Sequence, residues 1–279
     1  WVNTQESVYT QLVYPLTPKV SVASGIRYTQ VEDFDFGGDR GIDDSATAKE
    51  LGINYKLNNS RYFFRIAEAF RFGNADENGR VLPTVDFLKP QTSTSYEAGF
   101  EKTSETLRTN VLVYDLKIDD EIYFDGIASA NINLDSSSRK GVTVELDKGL
   151  SEDIAVGIGA RYIRAIYTAG NFQGNEVPSA ANKTATAYID YRISPSLNVY
   201  FDLLYTGERY PDSDNANSSE KLGGYTISNL NVGWSENSST VNFRVNNLGN
   251  KEYAGLLFAS GGYPSPERTI ELTYTHAFE

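Results

Sequence analysis

The alternation of apolar and polar residues constrains the fold of this chain more than any other feature of its sequence. Within residues 269–278, one face of an extended stretch would carry Ile270, Leu272, Tyr274, His276 and Phe278. The opposite face is mostly polar. A period of two residues is that of a β-strand with one apolar face. Such a strand fits a soluble sandwich as well as a transmembrane barrel, so one strand does not decide between them.

The same alternation recurs along the whole chain and predicts an all-β fold of about thirteen antiparallel strands. We place these strands near residues 3–14, 18–34, 45–57, 61–71, 93–103, 107–124, 129–149, 152–169, 181–193, 196–209, 223–235, 239–248 and 267–278. The sequence has no run of about 18 apolar residues, so it predicts no transmembrane helix. A transmembrane β-barrel stays open, because the strands of such a barrel are only half apolar.

The predicted connections between these strands alternate between tight and long. The tight set lies near residues 15–18, 58–60, 104–106, 150–152, 194–196 and 236–239. The mostly longer set lies near residues 35–44, 72–92, 125–128, 170–180, 210–222 and 249–266. Short periplasmic turns and long outer loops are typical of a bacterial outer-membrane barrel. A sandwich or a propeller has no reason to separate its loops in this way.

The charged residues support the same interpretation. Over residues 197–205, Leu197, Val199, Phe201, Leu203 and Tyr205 oppose a face that carries Asn198, Tyr200 and Asp202. A charge on the lipid face near the midplane would cost about 2–4 kcal/mol. The strand at 61–71 departs from this pattern, since Glu68 shares a face with Phe64 and Ile66. We therefore expect Glu68 to lie near the outer rim or after a bulge.

Composition excludes several classes of function. The 279 residues contain no Cys, which removes disulfides, thiolate nucleophiles and Cys-ligated zinc. The formal charge of −12 and the pI near 4.7 argue against a nucleic-acid partner. The absence of Met leads us to expect that the chain is part of a longer protein or a processed one. An odd number of strands also leaves its two ends at opposite rims, so we do not expect it to close as a barrel alone.

Seven short motifs, in order along the chain, carry a resemblance to a known family. They are Gly25-Ile26-Arg27-Tyr28, Ala69-Phe70-Arg71-Phe72, Leu88-Lys89-Pro90-Gln91 with Tyr96-Glu97-Ala98-Gly99, Lys140 to Glu145, Tyr205 to Tyr210, Val245 to Tyr253, and Tyr263 to Arg268. With these motifs the chain resembles the C-terminal part of a TonB-dependent outer-membrane receptor. It departs from the family's pattern at Phe72, at Gln91, and at Glu279, which follows the terminal aromatic residue.

The resemblance implies a fold and a function for the whole segment. Residues 1–279 would be the C-terminal part of an outer-membrane β-barrel domain of about 22 strands with a plugged lumen. The plug and the TonB box would lie upstream. The implied function is TonB-dependent, high-affinity uptake of a scarce nutrient, in first place a ferric siderophore. The implied partners are that ligand, outer-membrane lipid and TonB through the N-terminal part, with no nucleic acid, no cofactor and no catalysed reaction.

Other functions stay open at this point. A passive porin or a structural barrel would show the same strands, and a plug sequence with a TonB box upstream would separate it from a receptor. Cobalamin, haem or a sugar could replace the siderophore. Haem is disfavoured because this chain offers no His or Met in an outer loop as an axial ligand. An outer-membrane enzyme is disfavoured because His276, the single His, lacks a predicted Ser or Asp partner near the outer rim.

Candidate ligand contacts are the aromatic and cationic residues near the predicted outer ends of the strands, because such side chains suit aromatic or anionic siderophores. They are Arg71, Phe72, Arg209, Tyr210, Tyr263 and Arg268. No catalytic or metal site is predicted. The acidic stretches at 33–44 and 212–215 could bind Ca²⁺ but lack a defined ligand spacing, so we interpret them as solvated loops. We expect Gly99, Gly157 and Gly159 to leave room for a plug or to relieve crowding between strands.

Overall fold

Strands dominate the computed structural model, which describes residues 2–34, 41–85, 87–126, 128–258 and 261–278. The elements are β1 (Val2–Pro15), β2 (Val20–Phe34), β3 (Gly41–Leu57), β4 (Ser60–Arg71), α1 (Ala75–Asn78), β5 (Gln91–Thr103), β6 (Leu107–Asp119), β7 (Glu121–Asp125), β8 (Ala130–Leu134), β9 (Ser137–Gly149), β10 (Ile154–Tyr167), β11 (Lys183–Ser194), β12 (Leu197–Thr206), β13 (Tyr225–Glu236), β14 (Ser239–Asn246), β15 (Ala254–Phe258), β16 (Gly261–Pro264) and β17 (Thr269–His276). Among the described residues, no helix has the length and the apolar character that crossing a membrane requires.

Thirteen of these strands form one sheet in which neighbours in space are also neighbours along the chain. Its order is β1-β2-β3-β4-β5-β6-β9-β10-β11-β12-β13-β14-β17. Each register that the structure defines between these strands is antiparallel, as in the β1–β2 and β11–β12 pairs. The predicted all-β fold with thirteen antiparallel strands is therefore confirmed.

Two predicted strands were too long. We expected continuous strands at 107–124 and 129–149, but the chain leaves the large sheet after Asp119 and returns to it at Ser137. Between these points, β7 and β8 pair with each other as a separate hairpin. Asp120 has a φ of 51°, a left-handed conformation that turns the chain out of the sheet. The connection is therefore 120–136, and the predicted 125–128 is only the tip of the hairpin.

The alternation of tight and long connections is confirmed. The tight ones are 16–19, 58–59, 104–106, 150–153, 195–196 and 237–238, and the long ones are 35–40, 72–90, 120–136, 168–182, 207–224 and 247–268. Connection 35–40, which is half of the predicted acidic stretch at 33–44, lies outside the described residues. Asn58 and Asn237 take φ values of 51° and 50° in two-residue turns, a conformation that Asn tolerates better than most residues.

The described chain divides into two compact units. The first unit is Trp1–Phe100, Leu112–Gly141 and Arg164–Val177. The second unit is Glu101–Val111, Val142–Ile163 and Pro178–Glu279.

In the second unit, the registers align apolar residues of six strands into one row. The row is Ile154, Tyr191, Val199, Val232, Phe243 and Leu272, each directly opposite the next. The adjacent row points to the other face and is mostly polar, with Ala155, Asp190, Tyr200, Asn231, Arg244 and Glu271. Successive residues of a strand face opposite ways, so the sheet has one apolar and one polar face.

The first unit has the same division. Tyr14, Val22, Ile53 and Phe64 stand opposite one another across four strands. The defined β3–β4 register ends at the pair Glu50 and Ala67. Glu68 therefore lies one residue beyond this ladder, toward the end of β4 that enters connection 72–90. That position agrees with the rim location expected for this carboxylate.

Candidate ligand-binding site

Aromatic rings lie across glycines on the polar face of the sheet. In the second unit, Tyr188 of β11 stands opposite Gly157 of β10, and a Cβ at Gly157 would overlap its ring. The Tyr188 hydroxyl donates to the Asp147 carboxylate in β9, at 2.7 Å. The ring therefore spans all of β10, and this is possible because Gly157 has no side chain.

The first unit repeats this arrangement twice. A Cβ at Gly99 would overlap the ring of Phe63, and a Cβ at Gly141 would lie only 2.5 Å from the phenol of Tyr114. The space at Gly99 and Gly157 is thus filled by a neighbouring aromatic ring. Of the two expected roles, relief of crowding between strands is the one the contacts display. The rings of Tyr188 and Phe63 therefore lie over the neighbouring strand at the glycine.

Polar side chains on this face are paired within the sheet. In the first unit, Arg65 donates to both carboxylate oxygens of Glu97 at 3.2 and 3.1 Å, and Gln11 donates to Glu50 at 2.9 Å. In the second unit, Asn229 donates to Asp202 at 2.8 Å. These cross-strand contacts satisfy polar groups that would be costly in an apolar setting. Polar side chains of this face are therefore hydrogen-bonded to one another across the strands.

Asparagine side chains order connection 72–90 in the first unit. Asn74 caps α1 in a capping box with Glu77. Asn78 is almost fully buried, donates to the Gly73 carbonyl at 3.1 Å and accepts from the Leu88 N–H at 3.0 Å. Asn131 of β8 donates to the Glu77 carbonyl at 2.9 Å, so the β7–β8 hairpin holds this connection. The sequence does not single out these asparagines, because an Asn in a loop has no periodicity to mark it.

Arg209 fastens two connections of the second unit together. It is 7% exposed, and its Nη2 donates to the carbonyls of Ala254 at 2.9 Å and Gly255 at 3.3 Å in β15. Its guanidinium carbon lies 5.6 Å from the ring centre of Tyr225, which stacks on Tyr253 at 4.4 Å. Its Nη1 is buried without a hydrogen-bond partner. The guanidinium thus holds the β15–β16 hairpin against connection 207–224.

Asp214 organises the tip of connection 207–224. It is 8% exposed and accepts from the backbone N–H groups of Ser218 and Ser219, each at 2.9 Å, and from the Ser218 hydroxyl at 2.9 Å. Burial alone would raise the pKa of the Asp214 carboxyl, but these hydrogen bonds outweigh it and hold the pKa below its ordinary value. The carboxylate therefore has a structural role in a turn.

The structure places the six predicted contact residues in different settings. In the first unit, Arg71 donates from Nη1 to both oxygens of Glu77 at 2.8 Å, and Phe72 packs edge-on against Phe70 at 5.5 Å. In the second unit, Arg209 is buried as described, while the ring of Tyr210 lies 5.0 Å from the Lys221 ammonium.

The two remaining predicted residues belong to connection 247–268. Tyr263 of β16 is 67% exposed. Arg268 is exposed, and its backbone N–H donates to the Asn250 side chain at 2.9 Å. Arg209 and Tyr263 are linked through the hairpin, because Arg209 binds β15 and Tyr263 pairs with Leu256 in that strand.

His276 has a partner that the sequence did not predict. Its Nδ1 lies 2.9 Å from the Ser239 hydroxyl, at the end of the sheet that carries the tight turns. The described residues provide no carboxylate that contacts the imidazole, so the orienting group of a catalytic triad is missing from this pair. Within the described residues, no group of three or more His, Cys, Asp or Glu side chains could hold a metal ion.

Solved structures share this fold over nearly the whole chain. The ferric yersiniabactin uptake receptor FyuA from Yersinia pestis matches 99% of the chain with a TM-score of 0.81 and 19% identity. The ferric-catecholate import receptor Fiu from E. coli K12 matches 99%, at 0.75 and 17%, and the copper transporter OprC matches 99%, at 0.82 and 14%. The chain spans 46%, 45% and 47% of these proteins, less than half of each. At such identities the likeness shows the fold alone.

Sequence comparison gives the family. No curated protein matches the chain. The family described as "TonB dependent receptor-like, beta-barrel" matches residues 2–248, which include twelve of the thirteen strands of the large sheet. With its antiparallel sheet and its separate polar and apolar faces, the chain belongs to the TonB-dependent receptor β-barrel family.

Proposed function

We propose that residues 1–279 are the C-terminal part of the outer-membrane barrel domain of a TonB-dependent receptor that imports a ferric siderophore. The family match supports the receptor class. The observation that carries the proposal is the pair of adjacent rows in the second unit, one apolar and one polar across the same strands. An apolar face toward lipid and a polar face toward a lumen are what a transmembrane barrel requires.

The proposed process has no covalent step. The ligand binds at the outer face, and a plug supplied by the rest of the protein rearranges when TonB transmits energy from the inner membrane. In this proposal the long connections lie outside the cell and the tight turns lie in the periplasm. The polar face lines the path, and its cross-strand hydrogen bonds keep the side chains against the wall.

Exposure decides which predicted residues we propose as ligand contacts. Tyr263 and Arg268 are exposed on connection 247–268, and Phe72 is half-buried. We propose these three as contacts. Arg71, Arg209 and Tyr210 would act indirectly. Arg71 is paired with Glu77, Arg209 binds backbone carbonyls, and Tyr210 lies against Lys221.

Transport of radiolabelled iron tests this proposal. The gene for the full-length receptor would be deleted from its host and restored on a plasmid, and ferric siderophore uptake would be measured under iron limitation. We expect saturable uptake that requires the receptor and is lost when TonB is absent. Uptake that is linear in concentration and independent of TonB would instead identify a passive porin. Saturable uptake of cobalamin, haem or a sugar in place of iron would identify a receptor with another ligand.

A further inference from the structure

The long connections carry most of the negative charge of the chain. Connections 35–40, 72–90, 120–136, 168–182, 207–224 and 247–268 contain sixteen acidic and seven basic residues, a formal charge of −9 out of −12 for the whole chain. The excess is present in each unit by itself. In the first unit, connections 72–90 and 120–136 hold seven acidic and two basic residues. In the second, connections 207–224 and 247–268 hold six and four.

Four of the six cations that the structure describes in these connections already have a partner. Lys89 lies 3.6 Å from the Asp120 carboxylate, and Lys221 lies 3.5 Å from Glu208. Arg209 is buried against carbonyls, and the Arg80 guanidinium lies 5.9 Å from the ring centre of Phe124. The field of a paired cation is partly cancelled by its partner, so Lys89 and Lys221 offer less to a ligand anion than free cations would. Arg209 is only 7% exposed, although its Nη1 has no hydrogen-bond partner.

Several acidic side chains, in contrast, are exposed and form no ion pair with another described residue. They are Asp76 and Asp135 in the first unit, and Glu220, Glu252 and Glu267 in the second. The two exposed cations of connections 207–224 and 247–268, Lys251 and Arg268, each adjoin one of these acids in the sequence. Their positive charges are therefore offset locally.

An exposed aromatic ring lies on the same connection as two of these acids. Tyr263 is 67% exposed and belongs to connection 247–268, which also carries Glu252 and Glu267. The face of an aromatic ring attracts cations. Acidic and aromatic groups on the same connection therefore favour ligands with positive charge or with none.

We infer that the ligand is a metal chelate of zero or positive net charge, and that polyanionic chelates are disfavoured. This inference rests on the proposed function and specifies the charge of its substrate. A surface with excess negative charge raises the local concentration of cations and repels anions, and the effect falls as salt is added. The charge of the chelate thus sets both its affinity and the sign of its salt dependence.

Binding of three synthetic chelates to the full-length receptor in detergent tests the inference. The first is a ferric tris-hydroxamate, which is neutral because three monoanionic groups balance Fe³⁺. The second is the same chelate with a pendant ammonium group. The third is a ferric tris-catecholate, which carries three negative charges because each catecholate is a dianion. We expect the first two to bind more tightly than the third, and added salt to weaken binding of the cationic chelate only.

Substitutions in the connections sharpen the test. Glu220→Gln combined with Glu252→Gln should weaken binding of the cationic chelate at low salt by about two- to fivefold. Glu105→Gln is the matched control, because Glu105 is an exposed acid in the tight turn 104–106 at the other end of the strands. It should leave the affinity unchanged.

The possible outcomes separate this inference from the proposed function. Tightest binding of the tris-catecholate, with affinity that falls as salt is added, would overturn the inference and leave siderophore uptake in place. An equal effect of Glu105→Gln and of the double substitution would also overturn it. Binding of no chelate by a folded receptor would overturn the proposed function and, with it, this inference.

Discussion

The glycines of the polar face act through the rings that cover them. Gly157 lets Tyr188 lie across β10 and reach Asp147 on the next strand. Sequence alone predicts a glycine in a strand as a place of close approach. It does not say which side chain approaches, because that depends on the register of a neighbouring strand.

Substitution of Gly157 tests this contact. Gly157→Val should lower the stability of the full-length receptor by about 1–3 kcal/mol, because the new side chain would overlap the Tyr188 ring. Stability would be measured as the midpoint of heat-induced loss of folded mobility on gels. Gly223→Val is the control, since a Cβ at Gly223 would meet nothing within 4 Å. Tyr188→Ala should restore part of the loss in the Gly157→Val background, and no restoration would contradict the proposed contact.

Asp214 gives connection 207–224 a dependence on pH. Burial would raise the pKa of the Asp214 carboxyl, but hydrogen bonds from Ser218 and Ser219 stabilise the carboxylate more strongly. The pKa in the folded connection is therefore below its ordinary value. The contribution of Asp214 to stability is therefore complete above the unfolded pKa of about 4 and is lost as the pH falls through the lower folded pKa. Hydrogen exchange of the Ser218 and Ser219 amides, corrected for intrinsic rates, should show protection at neutral pH that disappears in acid.

Asp214→Asn should remove most of this protection already at neutral pH, since an amide accepts these hydrogen bonds more weakly than a carboxylate. Glu220→Gln, which changes an exposed carboxylate of the same connection, should leave the protection unchanged. Equal protection of both variants across the pH range would contradict the role assigned to Asp214.

At the scale of the strand, alternate residues of β12 should tolerate charge very differently. Val199→Lys or Leu203→Lys would place a charge on the apolar face, at a cost of about 2–4 kcal/mol near the midplane. Asn198→Lys would place it on the polar face, where Asn198 pairs with Arg192 and Gly233. We expect only the first two to impair assembly, measured as the fraction of receptor with folded mobility. Equal impairment by all three would show that the assigned faces of β12 are wrong.

Most strands of the large sheet follow from periodicity alone, because an alternation sustained over ten or more residues is typical of a strand with one buried face and of little else. The β7–β8 hairpin does not follow from periodicity, because its strands continue the alternation of β6 and β9. Asp120, whose left-handed conformation separates β6 from β7, has no feature in the sequence that marks it. The β15–β16 hairpin was likewise predicted only as part of a long connection.

The candidate site was less predictable than the fold, for a physical reason. Arg209 and Arg71 were both selected as cations near strand ends. The first is buried against the carbonyls of β15 and the second is held by Glu77. Whether a cation is available to a ligand depends on partners that are distant in the sequence or lie in another element. A periodic pattern does not reveal these partners.

For the whole molecule, the proposed topology places every tight turn on one side of the membrane. A small epitope inserted after Asn215, in connection 207–224, should bind antibody on intact cells. The same epitope at Asn59 or Pro195 should bind only after the outer membrane is permeabilised, because both lie in tight turns. Surface exposure at Asn59 or Pro195, with none at Asn215, would reverse the assignment.

The central claim is that one face of this sheet contacts lipid and the other lines a lumen. Because the chain contains no Cys, single cysteines at positions 198–205 of β12 in the full-length receptor would report without background from this chain. Each would carry a spin label, and its accessibility to oxygen in the bilayer and to a water-soluble nickel complex would be measured. We predict a period of two, with positions 199, 201, 203 and 205 open to oxygen and positions 198, 200, 202 and 204 open to nickel. Uniform accessibility along β12, or the reverse phase, would contradict the account.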